Sequence, residues 1–233
     1  MSEGEIERFL NASREDDSDG DARVSAELTI SKGWKGLDFA RKPRTVRVPQ
    51  TPLWSALIET GARWSELTNT TWNDLDVERR ALTLRAETTK SGRSRMVPLR
   101  SEMVETLLAL RAVHQQRHKR ITRSTDRIFL SPEGSDWRRD TAGVRRILHR
   151  ILERAGIDRR DEQGKCVDIH ALRHTAASRM AARGVPITIA QKVLGHSDPK
   201  LTAAVYTHLE VEDLRVAVDE RPTKSTPAME QSA

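Results

Sequence analysis

Between Thr141 and Ala155, Val144, Ile147, Leu148, Ile151 and Leu152 recur at i, i+3, i+4, i+7 and i+8, and Gly156 follows as a stop. A stripe with that period must bury itself against other elements, so the chain has to build a largely helical core around it. A second long helix is expected from about Glu102 to His118, with Val104, Leu107, Leu108 and Leu110. Shorter helices are expected from Pro52, with Leu53, Leu57 and Ile58 on one face before Gly61, and over Ser65–Trp72. Three more fall at about Ala171–Arg183, Pro186–Leu194 and Pro199–Leu209, with Pro186 and Pro199 as starts and Gly184 and Gly195 as stops. One β element interrupts the series. Leu82, Leu84 and Ala86 alternate like a half-buried strand, Met96–Leu99 does so more loosely, and Lys90-Ser91-Gly92 between them reads as a hairpin turn. The pattern defines an α+β fold, mostly α-helical, with one small antiparallel β-sheet or hairpin.

With 233 residues the chain can bury one large core or two small ones. The strong patterning runs over residues 52–219 and is read as one domain, closed by an amphipathic helix carrying Val211, Leu214 and Val218. Residues 1–51 read as a separate segment. It has a short helix over Glu5–Leu10 with Ile6, Phe9 and Leu10 on one face, then a polar, mobile acidic loop over Arg14–Asp21. A basic stretch follows from Trp34 to Arg47, either a solvated linker or an arm that contacts phosphates. Residues 220–233 read as a disordered polar tail. No internal repeat is visible.

Charge narrows the partners. The formal net charge is +6 and the pI about 9.8, which favours a polyanion without saying which sequence it carries. Cys166 is the single cysteine, so an intrachain disulfide is excluded and a reducing compartment is the natural setting. No apolar run approaches the roughly 20 residues that span a bilayer, and the acidic start Met1-Ser2-Glu3-Gly4-Glu5 lacks the features of a signal peptide. The expectation is a soluble, cytoplasmic protein.

Tyr206 is the one tyrosine of the chain, and it lies ten residues beyond His196 in a stretch rich in basic residues and histidines. A turn and one helix can return its hydroxyl toward the cleft that Gly195-His196 would face. His170 and Arg173, three apart at a helix start, share a face, where a docked phosphate would also meet N-terminal amides. Arg63 follows Gly61 at another helix start, and Lys90 sits at the hairpin tip. These residue types match the needs of phosphodiester transesterification. Guanidinium forks stabilise the extra charge of a pentacoordinate phosphorane, an imidazole helps a phenol of pKa about 10 lose its proton, and a mobile ammonium can protonate the departing 5′ oxygen. With two guanidiniums on the phosphate the chemistry requires no metal ion.

Thr60-Gly61-Ala62-Arg63-Trp64-Ser65-Glu66-Leu67, Thr88-Thr89-Lys90-Ser91-Gly92, His170-Ala171-Leu172-Arg173-His174-Thr175, and Leu194-Gly195-His196-Ser197 leading to Tyr206-Thr207-His208 occur in that order. Over about Pro52 to Asp219 the chain thereby resembles the catalytic domain of the tyrosine recombinases, the phage-integrase family. The resemblance implies a metal-independent DNA strand transferase for site-specific recombination or integration, such as mobile genetic elements use. Tyr206 would form a 3′-phosphotyrosyl link and free a 5′-hydroxyl. Arg63 and Arg173 would hold the phosphate, Lys90 would act as general acid, His170 would assist proton movement at the tyrosine, and His196 would hydrogen-bond a non-bridging oxygen. Glu66 matches the family's supporting acidic position. No cofactor is implied. The implied partners are double-stranded DNA and three further copies in a homo-tetramer assembled on it from monomers, together with any accessory DNA-bending protein, and no membrane. Members of the family usually carry a helical core-binding domain ahead of the catalytic one, and residues 1–51 do not read as such a domain; Glu5–Leu10 instead resembles the first helix of the catalytic domain.

Other readings of the same residues stand beside this one. A type IB topoisomerase shares the chemistry, and a truncated, non-catalytic DNA-binding remnant could retain the motifs. His170, His174, His196 and Cys166 could bind zinc as a hydrolase centre, although Arg173 among them repels a cation and no HExxH glutamate is present. Tyr206 could pack, Lys90 could be an ordinary turn lysine and Glu66 a surface residue. Trp64, Trp72 and Trp137 are assigned to packing, His174 to structural hydrogen bonding and His208 to the surface. The cluster of Arg117, His118, Lys119, Arg120 and Arg123 is either a solvated helix end or a DNA-backbone contact.

Overall fold

A computed structural model describes residues 1–30, 47–88, 92–137, 142–160, 164 and 166–195, with the side chains of 21–30 and of Thr88 outside the description. Along the described chain run α1 (Glu3–Ile30), α2 (Thr51–Thr60), α3 (Trp64–Thr68), β1 (Leu75–Asp76), β2 (Ala81–Leu84), β3 (Arg95–Pro98), α4 (Ser101–His118), α5 (Ala142–Arg154), α6 (Ile169–Ala182) and α7 (Ile187–Leu194).

Helix α2 is apolar on nearly every side, and it lies at the centre. Pro52, Leu53, Trp54, Ala56, Leu57 and Ile58 are all buried, and the helix packs against α6, α1 and α4. A helix without a polar face can be stable only when neighbours cover it all round. Helix α5 buries Val144, Leu148, Ile151 and Leu152 of the stripe that set the sequence expectation, and Ile147 stands at the rim of the same cluster. The strands form an antiparallel sheet in the order β1-β2-β3, with Leu82 opposite Val97 and Leu84 opposite Arg95. Leu82, Leu84 and Val97 turn inward to the core.

Three local expectations are corrected. The polar stretch Arg14–Asp21 is no loop; it continues α1 as helix. Three of its carboxylates, Asp16, Asp17 and Asp19, find partners far along the chain. Asp16 accepts from Arg150 at 2.6 Å and Asp19 from Arg154 at 2.6 Å. Asp17 caps α2 from outside, accepting from the amides of Gln50 (2.8 Å) and Thr51 (2.9 Å) and from the Thr51 hydroxyl (2.7 Å). Surface pairs contribute at most about 1 kcal/mol each, so burial of Ile6, Phe9 and Ala12 in the same cluster as Leu53 and Trp54 carries most of the docking. Phe9 meets Trp54 edge-on, with ring centroids 6.0 Å apart. The helix expected over Ser65–Trp72 stops at Thr68, and a separate 3-10 turn spans Trp72–Asp74. There Asp74 accepts from the Thr71 amide (2.7 Å) and hydroxyl (2.8 Å), which restarts the chain in a new direction. Ala86 belongs to a 3-10 turn, Ala86–Thr88, that ends the strand at Leu84.

The helices expected at Pro199–Leu209 and Val211–Val218, the tail 220–233 and the basic stretch up to residue 46 lie outside the described residues. Among those described, no helix is long and apolar enough to cross a membrane.

Candidate active site

Four pieces of chain converge at one place: the turn after α2, the first turn of α3, the inward face of β3, and the last turn of α7 as held by α6. Helix α2 ends at Gly61 in the left-handed region, with φ of 60°. A Cβ built there would lie 2.4 Å from Leu194 Cδ2 and 3.1 Å from Ala176 Cβ, so only glycine lets α7 and α6 close on this turn.

Arg173, on α6, is 4% exposed. Its Nη1 donates to the Gly61 carbonyl at 2.6 Å and its Nη2 to the Leu194 carbonyl at 2.7 Å. The guanidinium therefore staples the end of α2 to the end of α7. Burial first, then the nearby charge of Arg63, push its pKa down to about 10, with Glu66 pulling the other way. The group remains a cation at neutral pH. Among the described residues its hydrogen-bond partners are carbonyls, with no carboxylate in ion-pair contact.

Glu66, on α3, is fully buried. It accepts from the Arg63 amide at 2.8 Å and from Arg63 Nη1 at 2.7 Å. On its other side Arg95 donates through Nη2 at 2.7 Å and Nη1 at 3.3 Å. Burial works to raise its pKa, but the bonds from Arg95 and from the Arg63 amide outweigh it and hold the carboxyl below its usual range. The carboxylate is buried between two arginines and hydrogen-bonded to both, so Glu66 is no surface residue.

His170 is exposed in the first turn of α6, edge-on to His174 with ring centroids 5.0 Å apart. The Asp168 side chain caps this helix by accepting from the Ala171 amide at 2.9 Å. The Ala171 amide of this helix start is therefore taken by the chain's own carboxylate.

Sequence motifs marked Arg63, Glu66, His170 and Arg173, and the fold brings Arg63, Glu66 and Arg173 together. Lys90, His196 and Tyr206 lie outside the described residues, and with His196 so does the completion of any zinc set. Cys166 is exposed. The tryptophans pack: Trp64 stands 5.2 Å from Trp137 and 6.4 Å from Trp54, and Trp72 lies edge-on to His114. In the basic cluster after α4, Arg120 forks onto Asp126 at 2.7 and 3.0 Å. Motif reasoning missed Arg95. The signal was available in β3, where Arg95 shares the inward-facing register with buried Val97, two residues on. A charged residue on that face demands a buried partner.

The family model described as the phage integrase family matches residues 37–213, and the chain belongs to that family. It is 35% identical over 159 residues to tyrosine recombinase XerA of Saccharolobus solfataricus, covering 68% of this chain and 45% of that one. To tyrosine recombinase XerD of Mycobacterium tuberculosis it is 33% identical over 192 residues, covering 82% and 57%. The chain thus spans about half the length of these curated relatives. In fold it is similar to the crystal structure of XerA recombinase, with a TM-score of 0.63 at 24% identity, covering 95% of this chain and 65% of that one. The catalytic domain of bacteriophage HP1 integrase superposes with a TM-score of 0.56 at 21% identity, over 98% and 97% of the two chains.

Proposed function

We propose that this chain is the catalytic part of a site-specific DNA recombinase or integrase that breaks and rejoins strands through a 3′-phosphotyrosyl intermediate. The observation that carries the reading is Arg173: a buried cation beside Arg63, stretched between two main-chain carbonyls with no acid in ion-pair contact among the described residues. A desolvated cation is costly unless an anion completes it, and a scissile phosphate fits a site with two arginines. Family membership and the recombinase names of the relatives support the same reading over a topoisomerase or a DNA-binding remnant.

In this mechanism Arg63 and Arg173 hold the non-bridging oxygens, and Glu66 keeps Arg63 in one rotamer. The Tyr206 phenol attacks the phosphorus with His170 assisting loss of its proton. Lys90 protonates the departing 5′ oxygen, and His196 hydrogen-bonds a non-bridging oxygen. The link formed conserves the energy of the broken diester, so a 5′-hydroxyl of a second strand reverses the step without a nucleotide cofactor. Residues 52–219, with α1 packed onto them, are the working domain. Double-stranded DNA is the substrate, cytoplasmic DNA its setting, and four copies on two duplexes, joined by any bending protein the site requires, are the productive assembly. The test is a detergent-stable protein–DNA adduct that forms with the natural sequence and not with Tyr206→Phe. Relaxation of supercoils by a chain that stays monomeric on DNA would favour the topoisomerase reading instead.

A further inference from the structure

Arg95 reaches past Glu66. Its Nε donates to the Val193 carbonyl at 2.9 Å, while Nη2 and Nη1 hold the Glu66 carboxylate at 2.7 and 3.3 Å. One planar group thus joins the last turn of α7 to the carboxylate that fixes Arg63. The next carbonyl along α7, that of Leu194, is held by Arg173. Two guanidiniums therefore grip consecutive carbonyls at the point where the chain leaves α7 through Gly195, and His196 is the next residue in sequence.

Gly195 shows how close the fit is. Its φ is 66°, and a Cβ there would lie 2.6 Å from Arg95 Nη1 and 2.7 Å from Cζ. The Arg95 side chain cannot retreat from that atom without loosening its bonds to Glu66 or to Val193. The backbone conformation and the flat face of the guanidinium both require glycine.

We infer that Arg95 is a positioning residue: through Glu66 on one side and the Val193 carbonyl on the other, it sets the end of α7 relative to Arg63. A lysine cannot substitute, because a single ammonium cannot fork onto a carboxylate and meet a carbonyl from one plane. The inference deepens the proposed function, on which its catalytic arm alone rests.

The experiment compares the 233-residue wild-type chain with Arg95→Gln and Arg95→Lys in two measurements. In amide hydrogen exchange, both variants are expected to exchange faster in peptides covering 61–68 and 187–195, with α1, α4 and α5 unchanged. Unchanged exchange at 187–195, or faster exchange throughout, overturns the link. In single-turnover cleavage, both variants are expected to lose about a hundredfold in rate, the scale of a misplacement of about 1 Å, while duplex affinity stays within a few-fold. An unaltered rate, or equal losses of rate and affinity, overturns the positioning role. If wild type itself forms no adduct, the proposed function falls, and the exchange measurement still decides whether Arg95 couples the two segments. Gly195→Ala supplies a second route: it is expected to slow cleavage less in the Arg95→Gln background than alone, and full additivity would contradict the close contact.

Discussion

Arg173 and Gly61 are 112 positions apart in sequence, yet the guanidinium of one lies 2.6 Å from the carbonyl of the other. That bond places the buried cation two residues from Arg63. Arg173→Lys keeps a positive charge but cannot span from Gly61 to Leu194. Covalent adduct formation should fall by about 10²- to 10³-fold, the scale seen when one preorganised transition-state donor is lost, while duplex binding weakens only modestly. Rates of adduct formation set beside duplex dissociation constants check this; parallel loss of both would mean that Arg173 serves affinity.

Glu66→Leu removes the anion and leaves Arg63 and Arg95 facing each other across a buried gap. Breaking a buried pair from one side costs roughly 3–5 kcal/mol. Denaturant unfolding should show a loss of that order, with Glu66→Gln milder because its amide oxygen can still accept. A change below about 0.5 kcal/mol for Glu66→Leu, the range of ordinary surface substitutions, would contradict the burial described.

His114, on α4, is 1% exposed, its Nε2 has no hydrogen-bond partner among the described residues, and Trp72 lies edge-on with ring centroids 5.8 Å apart. Burial, with a smaller push from His118, lowers its pKa from 6.5 to about 4. A folded-state value below the unfolded one means that the unfolded chain binds the extra proton. Stability from this group is complete above pH 6.5 and is lost as pH falls toward 4, by on the order of 2–3 kcal/mol. Melting temperature against pH should decline across that window, and His114→Phe should flatten the decline. An unchanged slope in the variant would assign the acid sensitivity elsewhere.

Gly61→Ala must hold a Cβ in the left-handed region, at roughly 1–2 kcal/mol, and also displace Leu194. Overpacking of that kind adds typically about 1–3 kcal/mol. Thermal unfolding should show the sum, and the double variant Gly61→Ala/Leu194→Ala should recover the overlap part only. No recovery would mean that the cost is entirely in the backbone.

Arg63 and Arg173 were legible in the sequence because each sits a fixed few residues from a helix start, Arg63 just past Gly61 and Arg173 three residues after His170. The α5 stripe was legible for a similar local reason, its period. Arg95 was not, because its role depends on a cross-strand register, Leu84 opposite Arg95, and on a carbonyl 98 positions away. The acidic middle of α1 was misread as a loop for the same cause. Asp, Ser and Gly are poor helix formers, and what accompanies the helix there is Arg150 and Arg154, 134 and 135 positions distant. Local pattern reports local energetics; charges whose partners lie across the fold escape it.

The central claim is a tyrosine-linked strand break, and covalent trapping tests it most directly. The protein is incubated with sheared DNA from its source organism, quenched in detergent, and assayed for DNA that stays attached to protein. The account predicts attachment with wild type, none with Tyr206→Phe, and peptide mapping of the adduct to Tyr206. Attachment that persists in Tyr206→Phe, or maps to another residue, would contradict it.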